Sequence, residues 1–193
     1  MSNFPSSIKV KKLAKTMLGE QVPKQKRGDE GNTGRYYHSV MGVGSTKGVD
    51  VDKLNLEMKT RKRGSAAPHT TGSMTYTDII NTPWKDTLFA AKRQRVHEAI
   101  HDDTFTGKNE IVHESIIDMT KPEIQNLLER DYEIARAMLK NAGSTATGTI
   151  VGGEFGILEH KGSNSWAHRI PNSGYKKIKR IAASMFDKLF EFE

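Results

Sequence analysis

Between Leu54 and Arg61 the chain alternates strictly, with Leu54, Leu56 and Met58 on one side and Asn55, Glu57, Lys59 and Arg61 on the other. Successive side chains of a strand point to opposite faces, so this period of two predicts a strand with one apolar face and one face left for chemistry. The apolar face has to be covered, and the segments around the strand supply the cover at helical spacing.

Ile8, Val10, Leu13, Met17 and Leu18, with Lys9, Lys11, Lys12 and Lys15 between them, predict a basic amphipathic helix after Ser6 and Ser7. A charged connector from Pro23 to Asp29 leads to Gly31 and Gly34, and "RYYHSVMGV" then reads as a second helix ending near Gly42. "GSAAPHTTG", Gly64 to Gly72, reads as a loop, and "SMTYTDII" after it as a strand. Thr82 and Pro83 are a capping hydroxyl and a first-turn proline for a helix from Trp84 to about Ile100.

"EIVHESIIDM" reads as another strand. Thr120 and Glu123 form a capping box for a long helix carrying Ile124, Leu127, Leu128, Tyr132, Ala135, Met138 and Leu139. "TGTIV" and "EFGILEH" fit a hairpin, and Ile178, Ile181, Ala182, Met185, Phe186 and Leu189 mark a last helix. The class is α/β or α+β, with a central mixed sheet flanked by helices.

Charge narrows the partners. Thirty basic against 23 acidic residues give +7 and a pI near 9.5, which favours polyanions, nucleic acid foremost. The chain has no cysteine, which excludes a disulfide framework, a thiolate zinc site and a thiol nucleophile. No apolar run approaches the roughly 20 residues of a membrane span. The amino terminus lacks the apolar core of a signal peptide, so a cytoplasmic location is expected.

"VDVDKLNLEMKTRKRG" carries the chemistry. Magnesium is held by one or two carboxylates plus substrate phosphate, and Asp50 and Glu57 can supply them. Lys59, on the same strand face as Glu57, can sit beside an attacking water and the charge that develops on a phosphate. Taken alone the stretch also fits a solvated charged strand, and Glu-x-Lys recurs at Glu159 to Lys161.

The wider order of segments resembles the MutH-type mismatch-repair endonucleases and related restriction enzymes, from about Leu13 to Phe190. "KRGDEGNTGRYYHSVMG" is similar to the family's Gly-x-x-Gly segment and helix, and "DVDKLNLEMKT" to its Asp, six residues, Glu-x-Lys-Thr. "PWKDTLFAAKRQRV" resembles its Trp-headed helix, which implies an active-site role for Lys92. "LLERDYEIARAML", "GEFGILEHKG" and "SGYKKIKRI" follow in the family's order, the last implying DNA contacts by Tyr175 and Lys177.

The resemblance implies a single restriction-endonuclease-like domain over the whole chain, with two lobes around a DNA cleft. A catalytic lobe would span about 1–115 and a DNA-contacting lobe about 116–193. It implies a magnesium-dependent endonuclease acting on duplex DNA, with manganese as a substitute and Asp50 and Glu57 as metal ligands. An activating protein partner or homodimerisation on DNA would complete it, and bacterial or viral origin would follow.

His38 stands where the family has a glutamate; it can coordinate a metal or orient a water at the catalytic site, or simply pack on its helix, but it is a poor replacement at magnesium, so a catalytically weakened or inactive DNA-binding protein of the same fold is the alternative. The late turn "VGGEFG" lacks the family's basic residue and leaves Glu154 either to accept from a cytosine amino group or to serve as an ordinary turn residue. Arg61, Lys62 and Arg63 are expected to follow DNA phosphates.

Overall fold

The structure, a computed structural model, describes residues 18–23, 32–40, 56–104 and 108–189, with the side chains of the last helix as far as Ala182. The basic helix expected before Leu18, most of the connector after Pro23, and Asp50 lie outside the described residues. The chain divides into two compact units, one of 1–65 with 95–117 and one of 66–94 with 118–193.

The first unit holds α1 (Asn32–Val40), β1 (Leu56–Lys62), β3 (Arg95–Asp102) and β4 (Glu110–Asp118), the last running to its boundary. The sheet order is β1-β3-β4, and β1 runs parallel to β3 from Leu56 opposite Arg95 to Lys62 opposite His101. The alternation has the expected result. Met58 and Ala99 turn to one face and pack with Tyr37 of α1, Val22 and Ile111, with Tyr36 against the cluster. Residues 18–23 run along β4, with Val22 N donating to Asn109 O at 2.7 Å and Ile111 N to Glu20 O at 3.0 Å.

The second unit contains β2 (His69–Thr75), α2 (Tyr76–Asn81), a 3-10 turn (Trp84–Asp86) and α3 (Leu88–Ala91). It continues with α4 (Pro122–Ala142), β5 (Thr149–Val151), β6 (Ile157–His160), β7 (Ser165–Ile170) and α5 (Asn172–Leu189). Its sheet is ordered β2-β7-β6-β5, each pairing antiparallel. Ile124, Leu128, Tyr132, Ala135 and Leu139 form the buried stripe of α4, as their spacing requires.

Among the described residues the strands therefore form two sheets, where the sequence predicts a single central sheet, and the class is mixed α+β. The helix expected from Trp84 to Ile100 is instead one 3-10 turn, the single turn of α3 and then β3. Thr87 caps α3 by accepting from Ala90 N at 3.0 Å, and pairing with β1 overrides helical continuation after Gln94.

The strand expected over 73–80 begins earlier, at His69, and stops at Thr75. There the Thr75 hydroxyl accepts from Asp78 N, and the Asp78 carboxylate accepts in return from Thr75 N, which starts α2. The capping box expected at Thr120 does not form: Lys121 is the N-cap, Pro122 opens the helix, and Thr120 Oγ1 donates to Asp118 at 2.7 Å. The other expected strands, the β5-β6 hairpin and the last helix are present, and β7 is an additional strand.

Candidate active site

On β1 the polar face carries one acid, Glu57, followed by two bases, Lys59 and Arg61. Lys59 Nζ lies 2.7 Å from Glu57 Oε1, with the Glu57 side chain 2% exposed and that of Lys59 29%. A carboxylate so buried needs a partner, and Lys59 two residues along the same face supplies one. The parallel register sets Glu98 of β3 opposite Lys59, so Glu98 shares this face. Arg61 Nη1 reaches Glu98 Oε1 at 3.8 Å, an ion pair too long for a hydrogen bond, while Arg61 Nη2 donates to Ser65 O at 3.1 Å.

The charged run after Lys59 is divided by the same period. Arg61 belongs to the polar face with 14% of its side chain exposed, whereas Lys62 and Arg63 are more than half exposed. Lys62 pairs with Asp103 at 3.2 Å and Arg63 with Asp102 at 3.1 Å.

The opposite face holds a second polar group beneath α1. Tyr37 Oη lies 2.8 Å from His97 Nδ1 and donates to Glu114 Oε1 at 3.3 Å, and His97 Nε2 is 3.6 Å from the same oxygen. Burial pushes His97 down to about 4 and, with Glu114 nearby, raises the Tyr37 phenol well above its ordinary value. His38, on α1, places Nε2 3.5 Å from Met58 O, at the limit of a hydrogen bond to the backbone of β1.

Lys92 belongs to the second unit, where it is the C-cap of α3, buried, with its stem 3.3 Å from where a Cβ on Gly72 would stand. Tyr175 is fully buried and stacks on His69 at 4.2 Å, so its ring packs in the interior rather than standing on the surface. Glu154 and Lys177 meet each other at 2.7 Å. The turn that carries Glu154 is clamped to α4 by Asp131, whose carboxylate accepts from Phe155 N at 2.7 Å and from Arg130 Nε at 2.8 Å.

Trp84 and Trp166 are packing residues, 2% and 1% exposed. His168 lies among Trp84, Phe89 and Tyr132, where burial and then the charge of Arg93 hold it well below the ordinary histidine range.

Glu57 offers oxygen, the donor that magnesium takes, on a face that also carries the cations Lys59 and Arg61. Among the described residues no three acidic or histidine side chains are grouped to hold a metal ion. A carboxylate oxygen is a donor type that suits a hard cation; of the two carboxylates expected to supply one, Glu57 is described and Asp50 lies outside the described residues.

Glu98 is the member of this face that the sequence did not announce. Val96, Glu98 and Ile100 do stand at a spacing of two, but the helix-start signal at Thr82 and Pro83 predicts a helix through this stretch. No protein-family model matches the chain, and no curated protein matches it. Among the described residues no helix is long and apolar enough to cross a membrane.

Proposed function

We propose that the chain is a metal-dependent endonuclease that hydrolyses phosphodiester bonds in duplex DNA. The observation that carries this reading is the Glu57–Lys59 pair at 2.7 Å on β1, the end strand of the described sheet β1-β3-β4, with its acid buried and its base part-exposed. A solvated charged strand would leave both groups in water. A basic chain of +7 adds the attraction to a polyanion that duplex DNA requires.

Lys59 orients the attacking water and offsets charge that develops on the phosphate. Glu57 holds the Lys59 ammonium in place and, with Asp50, would hold magnesium. The chemistry magnesium supplies when bound is polarisation of a phosphoryl oxygen and activation of water near neutral pH. Lys62 and Arg63, the more exposed cations at the end of β1, fit contacts with the flanking phosphates, which position a duplex without reading its sequence. An activating protein or a second copy on DNA belongs to the same proposal.

The test is incubation of supercoiled plasmid with the purified protein in magnesium and in manganese, beside Glu57→Gln, which keeps the side chain's shape. Nicked or linear product from the wild type and none from the folded variant is expected. Equal cutting by both would refute the assignment. A second reading, duplex binding without cleavage, is favoured by His38 lying against the Met58 carbonyl where the resembled family has a carboxylate. It predicts intact plasmid in both metals together with salt-sensitive binding.

A further inference from the structure

We propose that Arg61 belongs to the same site as Glu57 and Lys59, as a cation that grips a phosphate oxygen, and that Glu98 is the positioning residue that holds its guanidinium there. The assignment rests on the nuclease reading and extends it by two residues. Three observations point to it.

The first is register. Arg61 is two residues beyond Lys59, so both project from one face of β1, and Glu98 joins that face from β3. Lys62 falls on the other face and Arg63 beyond the strand end. The cations that read as one basic run thus divide by the pleat.

The second is exposure. Arg61 keeps 14% of its side chain accessible, between the buried Glu98 at 1% and Lys62 at 53%. A guanidinium that only solvates a surface has no reason to be drawn against a buried carboxylate. One that must meet a phosphate at a fixed place does.

The third is the manner of holding. Arg61 Nη1 faces Glu98 Oε1 at 3.8 Å and Nη2 donates to Ser65 O at 3.1 Å, so the planar fork is fixed from two directions. A guanidinium carries five donors in rigid geometry and is shaped for two-point contact with phosphate. Glu98 touches no substrate here; it acts through Arg61.

The experiment measures duplex binding in EDTA and plasmid cleavage in magnesium for wild type, Arg61→Ala, Arg61→Lys, Glu98→Gln and the double variant Arg61→Ala with Glu98→Gln. Circular dichroism melting confirms that each is folded, and Arg61→Lys preserves the charge if alanine does not fold. Arg61→Ala is expected to cut roughly a hundredfold more slowly, the order of effect for one charge-stabilising donor. It should also reduce the slope of log affinity against log salt by about one. Arg61→Lys should bind nearly as well as wild type yet cut more slowly, since it lacks the fork.

Positioning predicts non-additivity. Glu98→Gln should slow cleavage in the wild-type background and add no further loss to Arg61→Ala. Losses that simply multiply in the double variant would make Glu98 a structural residue and overturn its part. Folded Arg61 variants that cut and bind like wild type, while wild type cuts, would overturn the whole inference and leave the nuclease reading intact. A wild type that never cuts, with Arg61→Ala still weakening binding and its salt slope, would end the nuclease reading and keep Arg61 as a phosphate contact. Unchanged binding in that case would end both.

Discussion

Acid should loosen the first unit through His97. Its imidazole is 1% exposed and accepts or donates one hydrogen bond with Tyr37 Oη at 2.8 Å; burial holds it at about 4 against an ordinary 6.5. Glu114, 3.6 Å away, favours the charged ring, but neither side chain is more than 1% exposed and desolvation outweighs it. Because the folded value is depressed, the unfolded chain takes up the proton first as pH falls. Stability is therefore unaffected above about 6.5, declines from there towards about 4, and levels off below.

At 1.36 kcal/mol per pH unit the loss is on the order of 3 kcal/mol once the pH reaches about 4.5 and below. The assay is urea denaturation at about pH 7.5 and about pH 4.5, followed on the labelled methyl of Met58, which packs in the same cluster as Tyr37. Wild type is compared with His97→Gln, which keeps a polar partner for Tyr37 and cannot titrate. The comparison cancels His101, whose depression by burial has the same sign. An equal fall in the two proteins, or an imidazole seen by NMR to titrate near 6.5 in the folded state, would refute the reasoning.

In the second unit, Asp131→Ala should cost about 2 kcal/mol, because it strands the buried Phe155 N–H that donates to the carboxylate at 2.7 Å. Gly152→Ala should cost about 3 kcal/mol or more, since the added Cβ would stand 1.8 Å from Asp131 O and 2.8 Å from Ala135 N, both backbone atoms of α4. Urea unfolding followed by tryptophan fluorescence checks both, as Trp84 and Trp166 lie in that unit. Lys177→Ala, by contrast, should change stability by less than about 1 kcal/mol, because its contact with Glu154 is solvent-accessible.

How much of this was legible depended on whether the governing interaction was local. The alternation over Leu54 to Arg61 is a property of consecutive residues, and β1 follows it. The stripe on α4 is equally local, and the helix turns it inward from Ile124 to Leu139 except at Met138, which is exposed. β3 was not legible, because Thr82 and Pro83 carry a valid helix-start signal and what turns Arg95–Asp102 into a strand is a parallel partner more than thirty positions earlier. The local signal is honoured only as far as the turn of α3.

The same distinction decides the site. Glu57 and Lys59 could be paired from sequence because two residues apart on a strand means one face, and they meet at 2.7 Å. Arg61 was visible on that face too, by the same alternation that divides it from Lys62; what the register of β1 on β3 adds is Glu98, which its guanidinium approaches while its neighbours pair with Asp103 and Asp102. Glu98 required the register itself. Two local clues, a Glu-x-Lys and a basic run, thus become one face on which each acid faces a base once a non-local pairing is known. That pairing makes Arg61 and Glu98 testable as a unit with the glutamate and lysine beside them.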